Sequence, residues 1–384
     1  MSEKLIIKNF GPITNVDLDL RRVNVLIGDQ GTGKSTIAKL LWVLKNTAYN
    51  NYGPLSLTIA GNEIKSVTEI DKFRNDNFSD EFTQIVQKVE LKNYFNKDTY
   101  IFFETGLCKI EINGSVIIFL DKGASKEKNT NLNYFIPAFR EAYILLRNNY
   151  PAILNAKANL PTILNTFGQY FNNYREELKY FNFQNIIGVD YKYTNGNEFI
   201  VLKSGKEITF EESSSAVNSV VPLLVVFLGI VNDISTESTR IYYDHNCPFV
   251  TIEEPELNCY PETQKKMVEF LIEKIKFKEN KKSKEYYCNL LLTTHSPYIL
   301  TSLNNLIYAY NVGKEHFEEA DKIIPSKNWL NPNDVSCYLL KPDGTCESII
   351  DGDGLIKAEM IDEISDEINM KYAKIGEVKY GEFD

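Results

Sequence analysis

The chain has 384 residues, of which 43% are hydrophobic and 24% are charged. At roughly 150 residues per domain, this length predicts two to three domains, or one domain with a large insertion. With 20 glycines and 13 prolines, the composition excludes a mostly disordered, collagen-like or coiled-coil-dominated chain. A formal net charge of −10 disfavours nonspecific coating of nucleic acid or anionic membrane by the whole surface.

Signals for export, membrane insertion and metal binding are weak. The N-terminal residues have no apolar stretch followed by small residues, and the longest apolar run, Val220 to Val231, is interrupted by Pro222. We therefore expect neither a signal peptide nor a transmembrane helix. The six cysteines form no C-x-x-C pair and the three histidines lie far apart in sequence, which indicates reduced thiols in a cytoplasmic protein and argues against a zinc site.

The first half of the chain alternates between strand-like and helical patterns. Apolar runs and turn residues predict strands and helices in this order: strands Lys4–Asn9, Val16–Leu20 and Arg22–Ile27, helix Ser35–Leu44, helix Asp80–Leu91, a hairpin of Cys108–Ile112 and Ser115–Asp121, strand Tyr134–Ile136, and a broken helical stretch over Ala138–Phe181. Asn113-Gly114 is the dipeptide favoured where both turn residues need a positive φ, so it predicts the hairpin turn.

The second half begins with another antiparallel pattern and continues as alternating strands and helices. The predicted elements are a meander of Ile186–Tyr193, Glu198–Lys203 and Glu207–Phe210, helix Val217–Val231, strand Phe249–Ile252, a helix from Glu262 to about Lys276, strand Asn289–Thr293, and a helix from Pro297. This alternation is typical of an α/β fold.

A glycine-rich loop lies between a predicted buried strand and a helix. It matches G-x-x-x-x-G-K-[ST] and, with the residue that follows, consists of Gly28, Asp29, Gln30, Gly31, Thr32, Gly33, Lys34, Ser35 and Thr36. In such a loop the backbone amides surround phosphates, the lysine reaches the β- and γ-phosphates, and the serine hydroxyl binds Mg²⁺. The loop therefore predicts an ATP site with Mg²⁺ as cofactor.

Two later strands end in residues suited to the same chemistry. Phe249–Ile252 leads into Glu253 and Glu254, which would place one carboxylate near Mg²⁺ and the other near an attacking water. Asn289–Thr293 leads towards His295. Taken alone, two glutamates or a histidine at the end of a strand are often exposed or packed residues without a catalytic role. Because ligands collect beyond the carboxyl ends of parallel strands, we expect all three motifs to meet at one sheet edge.

These residues resemble a known class of ATPases. The opening KLIIKNFGPITNVDLDL with the glycine-rich loop is similar to ABC-type heads of the SMC and RecF kind. IEEPELNCYP and LLTTHSPYIL resemble more narrowly the ATPases of OLD and of bacterial anti-phage proteins such as PtuA and AriA. The resemblance implies an ABC-type P-loop head, that is, a mixed sheet with flanking helices, an antiparallel β lobe and a helical insertion. Residues 1–45 and 186–384 would form the head, and 46–185 the insertion.

The same resemblance implies roles for individual residues. Glu253 would be the acid associated with Mg²⁺, Glu254 the catalytic base and His295 a histidine that senses the γ-phosphate. YFIPAFRE, residues 134–141, is similar to a YIPAER stretch of the family, which makes Arg140 a candidate close to the nucleotide or the dimer interface. Gln84 and Gln87 are candidates for a further glutamine near the site.

The signature segment departs from the family pattern. Ser214 and Ser215 stand where relatives carry two serines that cap the nucleotide of the opposite subunit, but Ala216 replaces a glycine and Asn218 a glutamine. The serines could still act at a helix N-terminus in a dimer. A simple N-cap cluster is the alternative, and the extra methyl of Ala216 would slow hydrolysis.

Other charged segments carry less information. Residues 262–285 contain eight lysines and five glutamates, which is more typical of a solvated face than of a DNA groove. Asp351 and Asp353 resemble part of a nuclease motif only superficially and indicate a turn. The acidic tail from Glu359 to Asp384 has the pattern of an amphipathic helix that could dock a partner.

The sequence thus favours an ATPase that forms a homodimer or higher homo-oligomer around Mg–ATP. Because no effector motif follows His295, we expect it to regulate a separately encoded toxin or nuclease, as the resemblance to anti-phage ATPases implies. Two alternatives stay open: a RecF-like repair ATPase that binds DNA directly, and a scaffold that binds ATP but scarcely hydrolyses it.

Overall fold

The computed structural model describes residues 3–50, 67–106, 108–121, 133–147, 160–235, 248–278, 285–358 and 370–375. Some sequence features lie outside these ranges: the middle of the lysine-rich segment, residues 279–284, and most of the acidic tail.

The described residues form both helices and strands. The helices are α1 (Lys34–Asn50), α2 (Val67–Lys88), α3 (Arg140–Leu146), α4 (Thr162–Leu178), α5 (Gln184–Ile187), α6 (Ser215–Ser235), α7 (Pro261–Lys274), α8 (Pro297–Val312) and α9 (Phe317–Ile323). The strands are β1 (Glu3–Phe10), β2 (Ile13–Leu20), β3 (Val23–Gly28), β4 (Tyr100–Glu104), β5 (Cys108–Asn113), β6 (Val116–Asp121), β7 (Asn133–Ile136), β8 (Tyr180–Phe183), β9 (Val189–Thr194), β10 (Asn197–Leu202), β11 (Glu207–Thr209), β12 (Phe249–Glu253), β13 (Lys276–Lys278), β14 (Glu285–Tyr287), β15 (Asn289–Thr294), β16 (Val335–Leu340) and β17 (Cys346–Ser348).

A six-stranded sheet forms the centre of the molecule, in the order β17-β16-β3-β15-β12-β7. Its strands are parallel except for β17, which pairs antiparallel with β16 at one edge. Strands β12 and β15 are buried along nearly their whole length, as expected for strands covered on both faces. Because β3, β12 and β15 run in the same direction, the residues that follow them emerge at one edge of the sheet.

An antiparallel sheet in the order β2-β1-β4-β5-β6 lies against one face of this centre. Helix α1 contributes Ile37, Leu40 and Leu44 to a core shared with the antiparallel sheet and with Leu26 and Leu291 of the central strands. The helix that begins at the glycine-rich loop is therefore held between two sheets, which fixes the position of the loop at its N-terminus.

The other face of the central sheet is covered mainly by helices and by the small sheet β11-β10-β9-β8. Helix α6 lies in this core, where Val220, Leu224 and Phe227 have no exposed surface. Its segment Ser215–Ile234 is long and apolar enough to span a bilayer, but 67% of the most apolar stretch is buried against the protein. The apolar run predicted from sequence is thus a core helix.

The predicted fold class, a mixed sheet with flanking helices and an antiparallel lobe, is confirmed. The sequence missed strands β4, β8, β13, β14, β16 and β17, of which β17 lies at one edge of the central sheet. The predicted helix at Asp80–Leu91 is the end of the longer α2, and the predicted helical stretch over Ala138–Phe181 gives way to β8 at Tyr180. The proposed division into head and insertion stays a prediction. The structure adds that strands from residues 46–185 share sheets with the head, since β4 pairs with β1 and β7 with β12.

Candidate functional site

The glycine-rich loop connects β3 to α1 and is tightly enclosed. Gly28 has a φ of +146°, and a Cβ at this position would lie 2.3 Å from the carbonyl oxygen of Leu340. Gly33 has a φ of +98°, and a Cβ there would lie 2.4 Å from Ile13 Cδ1. Both positions require glycine, because a side chain would meet the neighbouring strand or the β1–β2 turn.

Lys34 is folded into this loop. The side chain is almost completely buried, its Nζ donates hydrogen bonds to the carbonyl oxygens of Gly28 and Asp29, both at 2.7 Å, and it lies 3.4 Å from His295 Nδ1. Burial lowers the pKa of Lys34 to about 8, while the negative charges of Glu254, Asp29 and Glu256 oppose that shift. A poorly hydrated ammonium at this point is suited to a phosphate ligand.

Glu253 ends β12 beside the start of α1 and is 1% exposed. Its Oε2 accepts a hydrogen bond from the Ala138 amide at 3.2 Å, whereas its buried Oε1 has no hydrogen-bond partner within the described residues. Burial raises the pKa of Glu253, and the hydroxyl of Ser35 and the Ala138 amide partly oppose this. A buried carboxylate with an unpaired oxygen beside a serine hydroxyl fits Mg²⁺, which prefers hard oxygen ligands.

Glu254 begins the turn after β12 in a strained conformation. Its φ is +43°, which is uncommon for a residue with a side chain, and its amide donates to the carbonyl of Thr293 at 2.8 Å. The side chain is 29% exposed, and its Oε1 lies 3.5 Å from His295 Nε2. Lys34, His295 and Glu254 therefore form a continuous line of contacts, with the histidine in the middle.

Glu256, which the sequence did not single out, holds the histidine in place. Its Oε1 accepts hydrogen bonds from the hydroxyl of Thr294 and the amide of His295, both at 2.7 Å. Its buried Oε2 has no hydrogen-bond partner in the described part of the chain. The available signal was a third carboxylate in the segment Glu253-Glu254-Pro255-Glu256, directly after the acidic strand.

Arg140 lies behind the site rather than in it. Its side chain is completely buried, and its nitrogens donate only to protein oxygens: the carbonyls of Pro137 and Glu253 from Nη1, the carbonyl of Glu254 and the hydroxyl of Ser219 from Nη2, and the carbonyl of Ser219 from Nε. Burial lowers the pKa of Arg140 to about 10. The expectation that Arg140 contacts ATP directly is therefore corrected, because no part of the guanidinium is exposed. That Arg140 lies near the nucleotide or the dimer interface stays a prediction.

The two signature serines lie at the start of α6. Ser214 and Ser215 are both exposed, and the Ser214 hydroxyl accepts a long hydrogen bond of 3.4 Å from the amide of Val217. Ser213, one residue earlier, donates to the carbonyl of Phe210 and to the side chain of Asn218. The structure thus brings Ser214 and Ser215 to an accessible helix N-terminus but not into contact with the Lys34 side chain of the same chain.

The remaining candidates lie away from this cluster of contacts. Gln84 and Gln87 are on the exposed face of α2, and no hydrogen bond in the described ranges joins them to the loop. Asp351 accepts from the amides of Asp353 and Leu355, which confirms a turn.

Comparison with known proteins identifies the family. Residues 1–246 match the AAA ATPase domain family. The chain belongs to that family. No curated protein compared with the chain matches it.

Solved structures similar to the chain include heads of SMC proteins and RecF. The SMC head domain from Thermotoga maritima aligns with a TM-score of 0.38 and 12% identity over 78% of this chain and 91% of that chain. An Smc head with an extended coiled coil, bound to the C-terminal domain of ScpA derived from Pyrococcus furiosus, aligns with a TM-score of 0.40 and 10% identity over 96% and 99%. The recombination mediator RecF aligns with a TM-score of 0.38 and 12% identity over 91% and 98%.

Proposed function

We propose that this member of the AAA ATPase domain family is an ABC-type ATPase that binds and hydrolyses Mg–ATP. One observation carries the proposal: Lys34, His295 and Glu254, from three separate strand ends, lie in a continuous line of contacts beside the buried carboxylate of Glu253. A loop lysine, a metal-binding acid, a base and a histidine are the groups that phosphoryl transfer to water requires.

Each side chain has a distinct task in this mechanism. Ser35 and Glu253 would hold Mg²⁺, and the ion when bound neutralises charge on the phosphates. The amides of residues 28–35 and the ammonium of Lys34 bind the triphosphate. Glu254 orients a water and accepts its proton, while His295 lies between the base and the lysine and contacts the transferred phosphoryl group.

We also propose that two copies bind head to tail, so that each site is completed by the partner. The N-terminus of α6 carries partial positive charge, and the exposed Ser214 and Ser215 could donate to a phosphate of nucleotide held by the other copy. Because the Ser214 hydroxyl accepts the bond from the Val217 amide and does not donate in it, its hydrogen is available for such a contact.

A mixing experiment tests the composite site. We expect Lys34→Ala and Ser214→Arg to be inactive separately, because the first removes the phosphate-binding charge and the second blocks the partner's site. An equimolar mixture should recover about a quarter of the wild-type rate, since half of the dimers are mixed and each contains one intact site of two. Phosphate release is the measurement.

The matched control is Ser204→Arg, which alters an exposed serine in the turn between β10 and β11. It should retain the wild-type rate by itself. If the mixture stays inactive while Ser214→Arg is folded and binds ATP, sharing of the site between two copies is contradicted.

We further propose that the ATPase works in the cytoplasm and regulates a separately encoded toxin or nuclease, as in bacterial anti-phage defence of the PtuA and AriA kind. Two charge observations favour a protein partner over DNA. The net charge is −10, and Lys265 and Lys266 of the lysine-rich segment are paired with Glu269 and Glu262 on their own helix. The alternative is a RecF-like repair ATPase.

Purification from the native host in the presence of Mg–ATP separates these alternatives. We expect a protein encoded beside this gene to copurify in stoichiometric amount. Duplex DNA should bind to this protein no more tightly than it binds to an unrelated protein of the same net charge. Salt-sensitive DNA binding that is lost on reversing the charges of Lys276, Lys278, Lys281 and Lys282 would instead support repair.

A further inference from the structure

Arg140 is a buried charge without a carboxylate partner. Among the described residues, each of its hydrogen bonds goes to a backbone carbonyl or to the hydroxyl of Ser219, and its side chain has no exposed surface. Burying an unpaired guanidinium is costly, and packing alone could be achieved by an apolar side chain. The role of the charged side chain is therefore to be found in the two elements that its hydrogen bonds connect.

The guanidinium joins two elements that the proposed reaction requires. On one side it binds the end of β12, through the carbonyls of Glu253 at 2.9 Å and Glu254 at 3.0 Å. On the other side it binds α6, through the carbonyl of Ser219 at 2.8 Å and its hydroxyl at 3.1 Å. Nη2 is shared, because it donates both to the Glu254 carbonyl and to the Ser219 hydroxyl.

We propose that Arg140 is a positioning residue that links α6 to the turn carrying Glu254, so that the placement of α6 sets the placement of the Glu254 carboxylate. The inference rests on the proposed ATPase function. Ser219 follows Ser214 by little more than one helical turn, and a helix moves largely as a unit. The positive φ of Glu254 places its backbone in a narrow conformational region, where a small shift redirects the side chain.

The link requires arginine in particular. A planar guanidinium offers five N–H donors in a fixed fork, which allows it to bind carbonyls on two sides at once. A lysine ammonium is a single point with three donors and could not span the same set of oxygens. Helix α6 and the end of β12 would then lose their common anchor.

Ser219→Ala tests the link with little disturbance of the core. It removes the hydroxyl bond to Nη2 and leaves both bonds to the end of β12 as well as the bond from Nε to the Ser219 carbonyl, so it weakens the link without breaking it. We expect ATP affinity and KM to stay within about twofold of wild type while kcat falls about tenfold, because the loss affects placement of the base and not binding. Ser302→Ala, a buried helical serine that bonds the carbonyl of Tyr298, is the matched control and should keep the wild-type kcat.

A double-mutant cycle with Ser214→Ala distinguishes a link from a simple loss of packing. If the influence of Ser214 passes through α6 and Arg140, the double variant should be about as slow as the slower single variant. Rate losses that multiply would overturn the proposal, as would a Ser219→Ala kcat equal to that of Ser302→Ala.

Hydrogen exchange gives a reading that does not need turnover. In the wild type, Mg–ATP should slow amide exchange both at residues 253–257 and at residues 217–222, whereas in Ser219→Ala the slowing at residues 217–222 should be clearly smaller than in the wild type. Slowing at residues 217–222 in the variant that is as large as in the wild type would contradict the link. A wild-type protein that binds but does not hydrolyse ATP would refute the proposed hydrolysis, and this exchange comparison would still decide the link.

Discussion

Replacing Lys34 with alanine is expected to lower the affinity for Mg–ATP by about 100-fold or more and to reduce phosphate release to background. The Lys34 ammonium is buried and held by two loop carbonyls, so its interaction with a triphosphate is weakly screened by water. Calorimetric titration with Mg–ATP measures the affinity, and the thermal unfolding midpoint checks that the variant is folded. Wild-type affinity and turnover in Lys34→Ala would refute the proposed nucleotide site.

Lys34→Arg is the control that keeps the positive charge. It also serves as the reference for the pH dependence of ATP affinity. Without nucleotide, burial lowers the pKa of Lys34 from its ordinary value of 10.5 to about 8. A bound triphosphate favours the protonated form of the side chain. Binding therefore takes up a proton above pH 8, and wild-type affinity should fall by up to about tenfold for each further pH unit, with no such loss well below pH 8. Lys34→Arg should bind more weakly overall but lack this decline.

The strand ends could be predicted from sequence because the chemistry there depends on local spacing. Residues 28–35 carry a motif, and β12 and β15 are apolar runs with polar residues at their ends. Parallel strands then bring Glu254 and His295 to the same edge, so the relation between the motifs followed from topology rather than from any single residue. Strand β4 was missed because residues 100–103 are all apolar, so the sequence shows no alternation although every second side chain is buried.

The supporting residues could not be predicted in this way. Arg140 was expected near the nucleotide or the dimer interface because its segment is similar to the YIPAER stretch of the family, whereas its actual partners come from β12 and from α6, distant in sequence. Glu256 bonds Thr294 and the amide of His295, and this pairing exists only once β12 and β15 lie side by side. Tertiary packing, not local pattern, decides both roles.

Replacing Glu254 with glutamine should separate binding from hydrolysis. The amide keeps the size of the carboxylate but cannot accept a proton, so we expect phosphate release to fall about 100- to 1,000-fold. Mg–ATP affinity should be retained, because the contacts of Lys34 with the loop and of Glu253 with Ala138 do not involve the Glu254 carboxylate. Bound ATP should then hold two copies together, measurable as an ATP-dependent dimer by light scattering.

Glu262→Gln is the matched control, since it neutralises an exposed carboxylate on α7 that is paired with Lys266. It should hydrolyse ATP at the wild-type rate. Normal hydrolysis in Glu254→Gln would remove this residue from the role of base. If instead the wild type itself retains ATP with negligible phosphate release, the chain acts as an ATP-dependent scaffold whose state changes on nucleotide exchange and not on hydrolysis. The methyl of Ala216 in the signature segment would then account for the slow hydrolysis.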